Sequence, residues 1–177
     1  MIETERLILR RWLDRDREPY AAMSADPEVM DWLGGNLMTR AQCDAQIDRL
    51  QAELDLLGYG CLVIERKDDG AFLGFVALAA IHQEPPAPRG VEIGWRLARH
   101  AWGSGYASEA AAAVLKDGLQ RIGLAEILSF TALSNIRSQA VMQRIGLHRR
   151  ADLDFAHPGL AADHPLRPHI VWSTRSA

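Results

Sequence analysis

The chain is short of cysteine, of excess positive charge and of long apolar runs, and each shortage excludes something. Two cysteines, Cys43 and Cys61, are too few for a disulfide framework. Twenty Lys and Arg against 23 Asp and Glu leave a net charge of −3, so no general basic footprint for nucleic acid exists and any phosphate must be held locally. No stretch approaches the roughly 18 uncharged apolar residues of a membrane span, and Met1-Ile2-Glu3-Thr4-Glu5-Arg6 lacks an apolar signal core, which predicts a cytoplasmic protein without a membrane partner. Proline is sparse, and its one cluster, Glu84-Pro85-Pro86-Ala87-Pro88-Arg89-Gly90, is too short for a domain linker and reads as an exposed loop. Repeats and low-complexity segments are lacking too.

What remains is ordinary globular material, 48% hydrophobic and 24% charged over 177 residues. At about 150 residues per domain this predicts one domain, residues 1–177, able to bury roughly 70% of its unfolded surface without disulfide or structural metal. Arg6 to Trp12 reads as a first strand, with a helix starting at Asp14. Asp26-Pro27-Glu28 starts a short helix through Trp32, which Gly34-Gly35 stops. Cys43, Ile47, Leu50, Leu54 and Leu57 recur at helical spacing within Thr39 to Leu57, and Gly58 terminates that helix. Tyr59 to Glu65 and Phe72 to Ala80 form a hairpin around Asp69-Gly70. Val91 to Leu97 is a strand, Ser104 to Ile122 a long helix, Glu126 to Leu133 a strand, Ser134 to Ile145 a short helix, and Ile170 to Ser173 a last strand.

The chemistry concentrates where Val91-Glu92-Ile93-Gly94-Trp95-Arg96-Leu97 feeds Trp102-Gly103-Ser104-Gly105-Tyr106-Ala107 and the long helix. A strand that ends in a glycine turn and opens a helix aims several free N–H groups at one spot, with the positive end of the helix dipole behind them. This is an anion cradle, or else a plain strand-to-helix turn. Nucleotide readings fit poorly. Ser108 stands where a dinucleotide fingerprint has its third glycine, and no Lys-Ser or Lys-Thr follows the glycines as in a P-loop. G-x-S-x-G is absent, so no hydrolase triad is supported.

Three ordered segments carry a resemblance. Thr4-Glu5-Arg6-Leu7-Ile8-Leu9-Arg10, then Glu92-Ile93-Gly94-Trp95 with Trp102 to Ala110, then Asn135-Ile136-Arg137-Ser138 with Val141 to Leu147, resemble the GNAT superfamily of acyl-CoA N-acyltransferases in its ribosomal-protein acetyltransferase (RimJ/RimL-like) branch. His100 departs from the Arg or Gln that opens the family's glycine motif. The resemblance implies an α/β (α+β) fold with a mixed, mostly antiparallel sheet of about six or seven strands, flanked by helices. The sheet would splay between Val91–Leu97 and Glu126–Leu133, with acetyl-CoA wedged in the opening and no metal. Pantetheine would bond the backbone of Ile93, Trp95 and Leu97, and the pyrophosphate would sit on N–H groups of Gly103, Ser104, Gly105, Tyr106 and Ala107. Asn135 would meet the pantetheine arm, and Ser138 would help the thiolate depart.

Glu92 is the candidate base. Alternation puts Glu92, Gly94 and Arg96 on one strand face, so Glu92 either reaches the substrate cleft or pairs with Arg96. Asn135 or Ser134 could equally be a helix cap. The expected activity is acetyl transfer to a primary amine, a protein N-terminus or a small molecule, by a monomer or homodimer; the contrasting reading is a non-catalytic acyl-CoA-binding protein. His157, His164 and His169 match no zinc spacing. Trp32 could line the acceptor site, and Arg137, Arg144, Arg149 and Arg150 read as a solvated basic face, one of which could meet the 3′-phosphate of CoA.

Overall fold

A computed structural model describes residues 1–176. The strands are β1 (Ile2–Glu3), β2 (Leu7–Arg10), β3 (Cys61–Arg66), β4 (Phe72–Ala80), β5 (Val91–Leu97), β6 (Leu128–Ala132), β7 (His148–Arg149), β8 (Phe155–Ala156) and β9 (Pro168–Ser173). The helices are α1 (Arg17–Ser24), α2 (Pro27–Met30), α3 (Arg40–Leu57), α4 (Tyr106–Asp117) and α5 (Ile136–Arg144). All strands join one sheet in the order β1-β2-β3-β4-β5-β6-β9-β7, with β8 on β9. Every pairing is antiparallel except β5 with β6. Nine strands stand where six or seven are expected, because β1, β7 and β8 are two-residue additions at the edges.

Local chemistry explains most boundaries. Thr39 and Gln42 form a reciprocal capping box at α3, and Asp26 accepts from Glu28 N at α2. The helix expected from Asp14 begins instead at Arg17. Asp16 is drawn out of helical service by Leu13 N (2.8 Å) and the Arg10 guanidinium (2.6 Å), which leaves a 3₁₀ turn over Asp14–Asp16. The first strand spans four residues, Leu7–Arg10, where Arg6 to Trp12 is expected. The long helix is also shorter than expected. Residues 104 and 105 belong to the glycine turn, and the stretch Gly118–Ile122 widens into a π-turn where Gly118 lies close under Ile127 and Leu78.

Two apolar layers sandwich the sheet. Leu7, Leu9, Val76, Leu78, Ile93 and Leu97 pack against Ala110, Ala111 and Val114 of α4 and Val141 and Met142 of α5. On the other face Val63 and Phe72 pack against Tyr20 and Met23 of α1, Val29 of α2, and Cys43 and Ile47 of α3. Each fully buried Leu, Ile or Val contributes about 1.5–3 kcal/mol. Both cysteines are free and buried, and burial pushes the Cys61 thiol up to about 12. No helix among the described residues is long and apolar enough to cross a membrane.

Candidate active site

Strand β5 has one satisfied edge and one open edge. Ile81 N donates to Gly90 O and Ala98 N donates to Leu73 O, both at 2.9 Å, which sets the phase of the β4–β5 ladder. Glu92, Gly94 and Arg96 therefore turn their backbone groups toward Ala79, Ala77 and Phe75 of β4, and Ile93, Trp95 and Leu97 turn theirs the other way. On that side β6 pairs at a single position, Glu92 with Leu128. Ser129 Oγ donates to Ile93 O at 2.8 Å, and Trp102 Nε1 donates to Leu97 O at 2.8 Å. Of the three residues expected to present backbone to a cofactor, Trp95 alone keeps both groups untaken among the described hydrogen bonds.

The glycine turn lies at the end of that open edge. Gly103 (φ +77°) and Gly105 (φ +80°) adopt the left-handed conformation that an L side chain resists, and Gly105 is the N-cap of α4. None of the N–H groups of Gly103, Ser104, Gly105, Tyr106 and Ala107 donates within the protein among the described hydrogen bonds. The turn is braced from the far end of the chain. Glu109 accepts from Thr4 Oγ1 (2.6 Å), Arg6 N (2.8 Å) and Arg6 Nε (2.7 Å), while Arg6 Nη1 donates to Ser104 O (3.0 Å). Burial pushes the Glu109 carboxyl up, but these bonds outweigh it and hold it below its ordinary value. Trp102 carries two guanidinium groups near its ring, Arg99 at 5.0 Å and Arg137 at 5.1 Å. The sequence gives no sign of this brace or of Arg99 at the ring; of these cations it singles out only Arg137.

Glu92 points to the opposite face from the α4 core. Among the described residues it makes no ion pair, so the pairing with Arg96 left open by the sequence does not form. Its register partner Leu128 shares its face and packs in an apolar cluster with Ala87 of the proline-rich loop, Phe155 and Val171, and Phe130 lies against them. Burial there raises the carboxyl to about 7. The Gly34-Gly35 turn meets the C-terminal tail, where a Cβ on Gly34 would stand 3.2 Å from Leu160.

Asn135 and Ser138 sit at the start of α5, across the split. Asn135 is the N-cap rather than a helical residue, and its Oδ1 accepts from Ser138 N at 3.2 Å. Its side-chain NH₂ and the Ser138 hydroxyl make no hydrogen bond among those described. The supposed basic face is divided: Arg149 pairs with Asp154, Arg150 with Asp152, and Arg137 stacks on Trp102. His157 and His169 stack at 4.8 Å beside Phe155, with no cluster of metal-binding side chains among the described residues.

An acetyltransferase (GNAT) domain family model matches residues 6–148. The chain belongs to the GNAT acetyltransferase family. The uncharacterized protein YkkB of Bacillus subtilis (strain 168) is 31% identical over 82% of this chain and 83% of its own. The uncharacterized N-acetyltransferase YoaA of the same organism is 29% identical over 86% of this chain and 85% of its own. Among solved structures, a GNAT-family acetyltransferase from Bacillus anthracis superposes with a TM-score of 0.79 over 97% of this chain and 96% of its own, at 22% identity, a likeness of fold. This GNAT chain is thus an acetyl-CoA-dependent acetyltransferase. The open β5 edge and the free amides of the glycine turn fit an extended, anionic co-substrate of that kind.

Proposed function

We propose that this GNAT enzyme transfers acetyl directly from acetyl-CoA to a primary amine, of a small molecule or a protein N-terminus, within the ribosomal-protein acetyltransferase branch. The observation that carries it is the unpaired, apolar-bounded Glu92 beside the split between β5 and β6. The pantetheine arm lies along the Trp95 edge, and the pyrophosphate rests on the amides from Gly103 to Ala107. Arg137, stacked on Trp102, stands at hand for the remaining phosphate charge, whereas Arg99 on the same ring is engaged by Glu28 at 2.5 Å.

The amine nitrogen attacks the thioester carbonyl carbon, and the C–S bond breaks as the tetrahedral intermediate collapses. Glu92, with a carboxyl near 7, accepts the proton the amine loses, directly or through one water. Ser138 donates a hydrogen bond to the departing sulfur, and Asn135 orients the arm. A peptide α-amine of pKa about 7.7–8 is roughly a tenth neutral at pH 7, so such an acceptor asks little of Glu92, whereas a lysine amine near 10.4 asks far more. No acetyl-enzyme forms: Cys43 and Cys61 are buried in the layer under α1 and α3. CoA release measured with a panel of amines tests the reading, and CoA binding without turnover of any amine would support the non-catalytic alternative.

A further inference from the structure

The acceptor side of β5 has a shape and a charge that the transfer chemistry does not use. Glu92, Gly94 and Arg96 share one face, their ends separated by about 13 Å of strand. A Cβ placed on Gly94 would meet nothing within 4 Å, and its neighbours across the ladder are Ala77 and, beside Glu92, Ala79. The result is a trench floored by small residues, with Glu92 at one end and Arg96 at the other.

Arg96 has no counter-ion among the described residues. Its guanidinium lies over the Phe75 ring at 5.3 Å, Nη1 finds only Met30 Sδ at 3.8 Å, and Nε is buried with no partner. The Tyr20 hydroxyl, which donates to Gln46 Oε1 at 2.5 Å, lies beside it with its oxygen placed to accept, a neutral partner that leaves the positive charge uncompensated. Among the described residues no carboxylate pairs with it. Arg10, the other arginine deep in the fold, pairs with both Asp16 and Glu65 at 2.6 Å. A desolvated cation left alone is costly, and burial pulls the Arg96 pKa down, yet a guanidinium stays protonated at neutral pH.

We infer that the acceptor is a small amine that also carries a carboxylate, an amino acid or a close analogue, lying over Gly94 with its carboxylate on Arg96 and its amine at Glu92. This rests on the transferase reading above and narrows it. One guanidinium neutralises one carboxylate, whereas a doubly charged phosphate would leave excess negative charge near Glu92, and a polyamine would meet Arg96 with like charge.

The test uses matched acceptors: phenylalanine against phenethylamine, a polyamine, and phosphoethanolamine. The wild type is expected to favour the carboxylate member of the pair at least tenfold in kcat/KM. Arg96→Gln removes that preference through KM, and Arg96→Lys restores part of it. N-acetylphenylalanine, which has a carboxylate but no reactive amine, raises the Tm of the wild type and not of Arg96→Gln. Gly94→Leu, at an unstrained backbone position, retains CoA affinity and loses acetylation. Equal use of the matched pair, preference for the polyamine or the phosphate, or a preference that survives Arg96→Gln overturns the inference; should that variant not fold, Arg96→Lys and the wild-type Tm shift decide. Calorimetry with CoA separates the two levels. Without CoA binding the transferase reading falls and this falls with it; with CoA binding and turnover indifferent to the carboxylate, only this falls.

Discussion

Arg6 and Glu109 stand 103 positions apart in the chain and meet in a two-point contact, Nε and Nη2 of the arginine both 2.7 Å from Glu109 Oε2. Since Arg6 also holds Ser104 O, the pair fixes the glycine turn to the start of β2. Glu109→Gln keeps the shape and removes the charge. CoA affinity should fall several-fold by calorimetry, with kcat at saturating acetyl-CoA little changed; a kcat loss at unchanged affinity would show that the brace does something else.

Gly105→Val should weaken CoA binding strongly in a protein that still folds. The residue's φ of +80° disfavours a β-branched side chain by about 1–2 kcal/mol, and the added atoms would crowd the amides and Arg6 Nη2, 3.5 Å from the new Cβ. Normal CoA affinity in calorimetry would refute the phosphate assignment.

For Glu92, the expected pH dependence has two signs. Activity rises as the carboxyl loses its proton near pH 7, and Glu92→Gln should lower turnover and abolish that limb. Stability runs the other way. A carboxyl whose folded value is raised stabilises the fold below its unfolded value, and the benefit is lost as pH climbs through the folded one. Glu92→Gln should therefore be near neutral at pH 4 and stabilising at pH 8, by on the order of 3 kcal/mol at most. Thermal unfolding at both values checks it, and an equal shift at each would count against a buried carboxylate.

Ser138→Ala should lower kcat with little change in acetyl-CoA affinity, because help to the leaving sulfur acts in the transition state. Its backbone N–H, not its hydroxyl, donates to Asn135 Oδ1, so the helix cap survives the change. If affinity drops and kcat holds, Ser138 is a binding residue.

Gly74 on β4 should tolerate nothing. A Cβ there would fall 2.1 Å from Arg96 O and 2.7 Å from Leu97 Cα, so Gly74→Ala should cost about 3 kcal/mol or more in denaturant unfolding.

Much of this architecture was readable beforehand. The bounds of β5 match the residues between Gly90 and Ala98, and the cap at Asp26 follows from a side chain that bonds its own neighbour; Asn135 rather than Ser134 caps α5, and the Thr39–Gln42 box adds a cap not named from the sequence. The family resemblance drew Glu92 and the glycine turn into one site. Contacts between distant segments stayed hidden, because nothing local distinguishes Arg6 as the partner of Glu109 or Ser129 as the donor to Ile93. Alternation also fixes a period of two without saying which set of backbone groups faces β4. Only the register does that, and it singles out Trp95. Arg96 looked like a partner for Glu92, since a sequence cannot show that a cation lacks one.

The lone β5–β6 pairing at Glu92 and Leu128 gives the sheet an edge inside the molecule rather than at its rim. An exposed strand edge invites stray chains to add to it, with aggregation as the result. Here the partner strand β6, tied to Ile93 by Ser129 and to β9 along its whole length, stands as the opposite wall of a slot. On the proposed reading a slim unbranched arm enters the slot and docks against Trp95, where a polypeptide strand would have to place side chains into the apolar layers on the sheet's faces. The split that leaves backbone groups unpaired would then also filter what pairs with them.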